Sequence, residues 1–303
     1  MKCGTILLAV VLAAGVVWGQ ESGPEVLAPG AQVRELAKEF QFTEGPVADA
    51  RGDVYFSDIP AARMYKWSPE KGILLVRENT GGTNGLAFDA AGKILGCQTL
   101  TGRVMAFDPN GSVAEVTVVA ATYEGKRFNQ TNDLWVAPNG RVYFTDPVYG
   151  RVERSQDGEH VYCVSADRKK VMRVIDDMVR PNGLIGTPDG GTLYVADLGG
   201  KKTYRYRVNE DGTLRDKMLF ASMGSDGMTI DAAGNVYMTT DAVYVFTSGG
   251  KQIARIEIPQ RPTNVCFAGK NGKTLFITAH SGVYAVESAI GGVRGTPPKQ
   301  QSR

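Results

Sequence analysis

Histidine is almost missing from this chain: of 303 residues, only His160 and His280 carry an imidazole. That scarcity argues against a zinc centre of the usual His or Cys type. It also leaves a Ser-His-Asp arrangement only if one of these two is the base. His160 follows Gly158-Glu159 in a polar stretch and is expected to be an exposed loop residue, whereas His280, in FITAHSG, is placed where a strand ends. Cysteine is scarce as well, and no CxxC spacing occurs among Cys3, Cys97, Cys163 and Cys266. The last three stand in apolar, strand-like runs (ILGC, VYC, NVCF), which predicts buried free thiols rather than ligands or nucleophiles. An excess of one charge is also lacking. Thirty-four Lys and Arg against 32 Asp and Glu leave a net charge of +2 with no basic run. The chain therefore offers no steering field for nucleic acid or an anionic membrane. Helical periodicity is absent beyond the first 20 residues, except where Val33 to Phe40 admits it.

The N-terminus is a different kind of sequence. Lys2 gives a short positive region, Ile6 to Val17 is apolar or glycine, and Val17-Trp18-Gly19 offers small residues for a signal peptidase. The run is shorter than the roughly 20 residues a membrane-spanning helix needs. Cleavage near Gly19 or Gln20 is expected, with an uncleaved anchor as the alternative. Cys3 precedes the apolar run and does not read as a lipid-attachment site. The mature chain is thus expected to be exported, periplasmic or secreted, without a stable membrane span. A single domain of this size can bury about 75% of its unfolded surface, so no covalent staple is required.

What the sequence has in abundance is glycine, 37 residues of it, punctuating short β-branched or aromatic runs. Val54-Tyr55-Phe56-Ser57, Val142-Tyr143-Phe144-Thr145 and Thr192-Leu193-Tyr194-Val195 are such runs. The glycine opening them recurs as Gly52, Gly92, Gly140, Gly190, Gly234 and Gly272, at intervals of 40, 48, 50, 44 and 38 residues. A period of about 40 to 50 residues with several short strands per unit predicts an all-β, six-bladed β-propeller. The last copy runs out of chain after Gly282 to Val286, so its fourth strand is expected from Gln32 to Leu36, closing the ring. The organisation read here is a signal peptide over 1–20, a linker over 21–30, the propeller over 31–288 and a flexible tail over 289–303.

Eight residues before each glycine stand Glu44, Asn84, Asn132, Asn182, Asp226 and Asn264, all bearing a side-chain oxygen. Their surroundings repeat as TEGPV, TNGLA, TNDLW, PNGLI, SDGMT and TNVCF. First strands line the channel of a propeller, so equivalent positions point at one axis. Asx-Gly turn chemistry accounts for part of this pattern, though poorly for Glu44. Two carboxylates converging in a channel would repel. A divalent cation with an all-oxygen shell, Ca²⁺ or Mg²⁺ with Mn²⁺ possible, answers that repulsion.

Several of these segments, in order, are similar to the gluconolactonase, regucalcin and senescence-marker-protein family. They are Glu44-Gly-Pro-Val, Gly125-Lys-Arg-Phe-Asn with Asn132-Asp-Leu, and Tyr143-Phe-Thr-Asp-Pro ending at Tyr149-Gly. Arg180-Pro-Asn-Gly-Leu, Asp226-Gly-Met-Thr-Ile-Asp and Arg261-Pro-Thr-Asn-Val follow. The resemblance covers about residues 31–287. It implies one divalent metal held by Glu44, Asn132, Asn182 and Asp226. Ca²⁺ is favoured by the oxygen-only set, with Zn²⁺ also known in the family. It further implies hydrolysis of a small-molecule lactone, such as a sugar lactone, with other esters or organophosphates open. Asn132 would touch substrate as well as metal, and Asn84 and Asn264 would face substrate or support the ligands. Asp226 is the candidate general base, a part a carboxylate must play where histidine is scarce. Asp58, Asp146 and Asp197 read as loop-bonding residues, with Asp146 and Tyr149 the ones expected to reach the pocket, and His280 a further candidate for its wall. The chain departs from the family pattern at Cys97-Gln98-Thr99, where relatives carry Cys-Glu-His, and at Gln130, where some carry Arg. A non-enzymatic binding propeller with a structural metal is the competing class, since the fold hosts both.

Overall fold

The computed structural model describes residues 25–109 and 116–293. The export segment expected at 1–20, with Cys3, lies outside them. Among the described residues no helix is long and apolar enough to cross a membrane.

The six glycines open turns in which each accepts a positive φ of 70° to 86°. In every copy the glycine N–H bonds the carbonyl three residues back, at 2.8 to 3.0 Å. A side chain is strained in that left-handed backbone, which is why glycine marks each hairpin between the first and second strands. The result, among the described residues, is six four-stranded antiparallel sheets, five of them simple meanders and the sixth completed by the N-terminal strand. Their innermost strands are Thr43–Ala48, Thr83–Phe88, Leu134–Val136, Pro181–Gly186, Met228–Ile230 and Asn264–Ala268, opening blades one to six. A two-stranded hairpin, Thr122–Tyr123 with Lys126–Arg127, is added between blades two and three.

Blade six takes its outer strand from the N-terminus, as expected, with the pairing segment at Arg34–Lys38. The helical alternative for Val33 to Phe40 is therefore replaced by a strand, because its partner Gly282–Glu287 presents an unpaired edge. The packed fold also runs past residues 31–288 at both ends. Val26 is 5% exposed in the core of blades five and six, Leu27 bridges Ser288, and Gly292 bridges Asp231. Parts of the expected linker and tail are thus built into the ring.

Six apolar clusters fill the six gaps between neighbouring blades. Val54, Phe56 and Trp67 of blade one, for example, meet Cys266, Phe276 and Val283 of blade six, with Leu36 and Ala37 of the closing strand against them. Cys97, Cys163 and Cys266 are buried and free, each within an inter-blade cluster.

Nearer the axis the blades are joined by polar contacts. The residue before each column position is Thr43, Thr83, Thr131, Pro181, Ser225 or Thr263, and the five hydroxyls are essentially fully buried. Thr131 Oγ1 donates to Arg103 O at 2.9 Å, and Thr263 Oγ1 to Thr43 O at 2.8 Å. Ser57 Oγ reaches Asn84 O at 2.9 Å and Thr239 Oγ1 reaches Thr263 O at 2.8 Å. Each of these bonds crosses from one blade to the next.

Thr263 closes the ring between blades six and one, so Thr263→Val should strand the buried Thr43 carbonyl. Removing one partner of a buried hydrogen bond costs about 1–3 kcal/mol. At about 2–4 °C per kcal/mol for a domain approaching this size, the thermal midpoint should fall by roughly 3–10 °C in a calorimetric scan. An unchanged midpoint would show that closure does not use this contact.

Candidate functional site

The six column residues gather at one end of the central channel. Glu44, Asn84, Asn132, Asn182 and Asn264 are each 2–6% exposed, and Asp226 is partly exposed. Local backbone irregularity helps aim them. In blades one, two and four the pairing slips by one residue directly beyond the column position, between Glu44 and Val47, Thr83 and Leu86, and Pro181 and Leu184. Such a bulge re-aims a side chain out of the pleat.

The glycine that follows four of the six has a purpose other than the expected turn capping. A Cβ at Gly45 would lie 2.1 Å from Asn84 O, one at Gly183 2.5 Å from Asp226 O, and one at Gly227 2.0 Å from the Asn264 amide carbon. Gly85 likewise abuts Asn132 O and Asp133. Each glycine lets the neighbouring blade's column residue press against the axis.

In blade three that position holds Asp133 instead, a third buried carboxylate that the eight-residue offset misses. It is 7% exposed and accepts Leu134 N at 2.9 Å. It also lines a central cavity of about 180 Å³ lying just below the column, together with Asn264, Leu86, Leu184 and Met228. Glu44 and Asp226 are not in that cavity's wall and stand on the opposite, mouth side of the ring.

Three acids gathered in one narrow channel cannot all ionise freely. Burial, then the charges of Asp226 and Asp133, hold Glu44 well above the usual carboxylate range, against hydrogen bonds from Gly45 and Asn264. Burial raises Asp133 to about 7, opposed by hydrogen bonds from Leu134, Asn264 and Leu184. Burial likewise raises Asp226 to about 6, with the Arg261 charge and the Asn182 amide pulling it down. Arg261, which the sequence placed in a motif without a role, thus bears on the axial acid.

The four amides divide into two pairs. Asn182 Nδ2 donates to Asp226 Oδ1 at 2.7 Å and to the Tyr149 hydroxyl. Asn264 Nδ2 donates to Glu44 Oε2 at 3.1 Å while its Oδ1 accepts Val265 N at 2.8 Å. Of the two parts expected for Asn264, supporting a ligand residue or facing substrate, its bond to Glu44 fits the first. The side chains of Asn84 and Asn132, by contrast, are buried at the axis without a hydrogen bond to the described protein.

The other expected pocket residues part company. Tyr149 does reach the axis, through Asn182. Asp146 does not serve the pocket: it is fully buried, and its Oδ2 accepts Asn129 N at 2.9 Å. Asp58 and Asp197 bond loop amides in the same way, Asp58 at Gln41 and Phe42, Asp197 at Val179, Arg180 and Gly200. The loop-bonding reading holds for all three. His280 sits exposed in the turn after blade six's second strand, its ring 5.3 Å from that of Phe42. His160, expected in an exposed loop, instead begins the strand His160–Val164 and is 4% exposed, pairing across to Asp146.

No group of three or more His, Cys, Asp or Glu side chains among the described residues is placed to share one ion. An ion held here has to be completed by amide oxygens, and the donors fit that demand. Asn84 and Asn132 are unengaged, and Asn182 presents Oδ1 to the axis if its amide is turned over, a choice that the hydrogen-bond network and not the backbone decides.

A protein-family model described as "SMP-30/Gluconolactonase/LRE-like region" matches residues 42–281. A gluconolactonase from Zymomonas mobilis subsp. mobilis is 30% identical over 298 residues, spanning 87% of this chain and 83% of that protein. Pentonolactonase from Haloferax volcanii is 26% identical over 255 residues, spanning 79% and 81%. Among solved structures, a gluconolactonase from Xanthomonas campestris superposes with a TM-score of 0.79 at 26% identity, covering 89% of this chain and 99% of that one.

The raised carboxylates give the metal-free protein a defined pH response. Asp133 and Asp226 have an ordinary value of 3.8 when unfolded and about 7 and 6 when folded. Between those values the folded state keeps protons that the unfolded chain has released, so stability must fall as pH rises. Denaturant unfolding in chelator at pH 4, 5, 6 and 7 should show a steady decrease, partly flattened in Asp133→Asn. Stability that rises across this window would contradict the charge arrangement.

Proposed function

The chain belongs to the SMP-30/gluconolactonase/LRE-like family, and on that premise we propose that it hydrolyses a sugar lactone at the axial site with the help of one divalent cation. The observation that carries this reading is the pairing of the buried Glu44 and the partly exposed Asp226, both with raised pKa values, with two unbonded amides, Asn84 and Asn132, at the same axis. An all-oxygen set of carboxylates and amides suits Ca²⁺ first, with Mg²⁺, Mn²⁺ or Zn²⁺ as alternatives. Glu44, Asn132, Asn182 and Asp226 would hold it. When bound, such an ion neutralises the converging carboxylates and polarises the lactone carbonyl.

The chain's own groups supply the rest. Asp226 is the base that takes a proton from the attacking water. It is the one column residue that is partly exposed, so water can reach it, and a bound cation would pull its carboxyl down from the raised value of the metal-free chain. Asn132 and Asn84 offer amide N–H groups where the carbonyl oxygen gains charge, or to substrate hydroxyls. Tyr149 stays protonated, because burial and then the Asp226 charge push its phenol up. It can therefore donate a hydrogen bond to the ring oxygen as the acyl C–O bond breaks, and the proton that Asp226 took from water passes to that oxygen, which completes the hydroxy acid. The apolar inter-blade packing keeps these groups fixed while charge develops.

Activity and stability test the reading together. Opening of a sugar δ-lactone, followed by acid release, should drop at least 100-fold in Asp226→Asn and in Glu44→Gln. Chelation should abolish it and Ca²⁺ restore it. Calcium at about 100 times its Kd should also add roughly 2.7 kcal/mol of stability. Turnover indifferent to chelation and to both substitutions would refute an axial, metal-assisted reaction.

A further inference from the structure

Blade three carries the longest connection at the mouth, residues 147–159 between Val142–Asp146 and His160–Val164. Its buried Glu159, 6% exposed, ties the loop to the axial site. Glu159 Oε2 accepts Val148 N at 2.9 Å, and Oε1 accepts Arg154 at 3.0 Å. Both oxygens are then engaged, and Arg180 Nε lies 3.8 Å away as an ionic neighbour only. The guanidinium of Arg180 rests over the Tyr149 ring, 5.2 Å from its centroid. The Tyr149 hydroxyl in turn meets Asn182 of the column.

Three arginines near the mouth have guanidiniums committed to hydrogen bonds. Arg127 donates to Phe128 O, Arg154 to Glu159 and Arg261 to Thr240 O. The Arg180 backbone N–H is taken by Asp197, but its guanidinium donates to nothing among the described residues, its Nε is buried without a hydrogen-bond partner, and its side chain is 43% exposed. One glutamate faces two arginines, which leaves a surplus positive charge one aromatic ring from the axis. A planar, fully charged donor fork held by stacking, with Glu159 as an ionic neighbour but no hydrogen bond, suits a carboxylate or phosphate.

We propose that Arg180 is a specificity-determining residue that receives an anionic group of the substrate beside Tyr149, with Glu159 as the positioning residue that holds it there. The inference rests on the lactone reading and narrows it to lactones carrying a second, acidic group remote from the reacting carbonyl. Carboxylate and phosphate ester share the required chemistry. The bland alternative is that Arg180 only offsets the axial carboxylates. Arg261 is already the cation acting on Asp226, whereas Arg180 acts on Tyr149.

The test compares δ-lactones of one ring type ending in a hydroxymethyl, a carboxylate or a phosphate ester. A charge-assisted hydrogen bond is worth about 1.5–3 kcal/mol, or roughly 10- to 100-fold. The wild type should favour one of the acidic lactones over the neutral one in kcat/KM by that factor, mainly through KM, and which acid wins identifies the group. Arg180→Gln should erase the preference, Arg180→Lys should recover part of it, and Glu159→Gln should weaken it with a smaller effect on the neutral lactone. Calorimetric binding of a hexose phosphate against the free hexose gives a readout that needs no turnover, so failure of the lactone reading stays separate from failure of this one. Thermal midpoints confirm that the variants fold. No anionic preference in either experiment, or an equal loss for neutral and acidic ligands in Arg180→Gln, overturns the proposal.

Discussion

Carboxylates forced together on a shared axis are the constraint on which the rest of this molecule turns. A ring of equivalent blades sends the first residues of every innermost strand to the same line, so any acid placed there meets its counterparts in a narrow channel. Each unit of pKa elevation is about 1.4 kcal/mol of disfavoured ionisation. With Asp133 and Asp226 raised to about 7 and 6, the strain is on the order of several kcal/mol at neutral pH. That is a large part of the 5–15 kcal/mol by which ordinary domains are stable. The six apolar inter-blade cores, the hydroxyl contacts from Thr131, Thr239 and Thr263, and the closing strand Arg34–Lys38 hold the ring against that repulsion. A bound cation would relieve the repulsion directly, so the same geometry that weakens the free protein gives it a reason to bind an ion.

Function enters where the repeat is broken. Four blades follow their column residue with glycine, which lets the neighbouring backbone close in. Blade three substitutes Asp133, adds the hairpin Thr122–Arg127 and extends the 147–159 connection. Asn129 anchors this region, donating to Asp146 O and Gly158 O and accepting Ser155 N and Gln156 N. Glu159 anchors its other side. A scaffold of regular blades thus carries one irregular sector, and that sector delivers Tyr149 to the axis.

Much of this was legible because it obeys the repeat. The glycine interval gave the number of blades, since only a left-handed turn residue is required at the same place six times, and the offset of eight gave the column. The missing outer strand of the last copy pointed to the N-terminus. What escaped notice departs from periodicity or depends on contacts between blades. Asp133 sits one residue beyond the column, and comparing that position across copies (Gly45, Gly85, Asp133, Gly183, Gly227, Val265) would have exposed it as the one acid. Asn264 looks equivalent to Asn84, yet its role is decided by Glu44 of the next blade, 220 residues away in sequence. His160 reads as a loop residue from its glycine and acidic neighbours, and only its cross-strand partner Asp146 places it in a strand.

The ring is not six-fold in chemistry even though it is six-fold in build. Glu44 of blade one and Asp226 of blade five flank blade six, where Asn264 is bonded to Glu44, and Asn182 of blade four is bonded to Asp226. Blades four, five, six and one therefore form a continuous arc in which amide donors are committed to carboxylates. Blades two and three form the remaining arc, with Asn84 and Asn132 uncommitted. An electrophile entering such a ring has one orientation that avoids burying an unpaired group: its oxygens toward the free amides, and the face to be attacked toward the acids. The polarity of a reaction at this axis follows from which hydrogen bonds the ring has already made with itself.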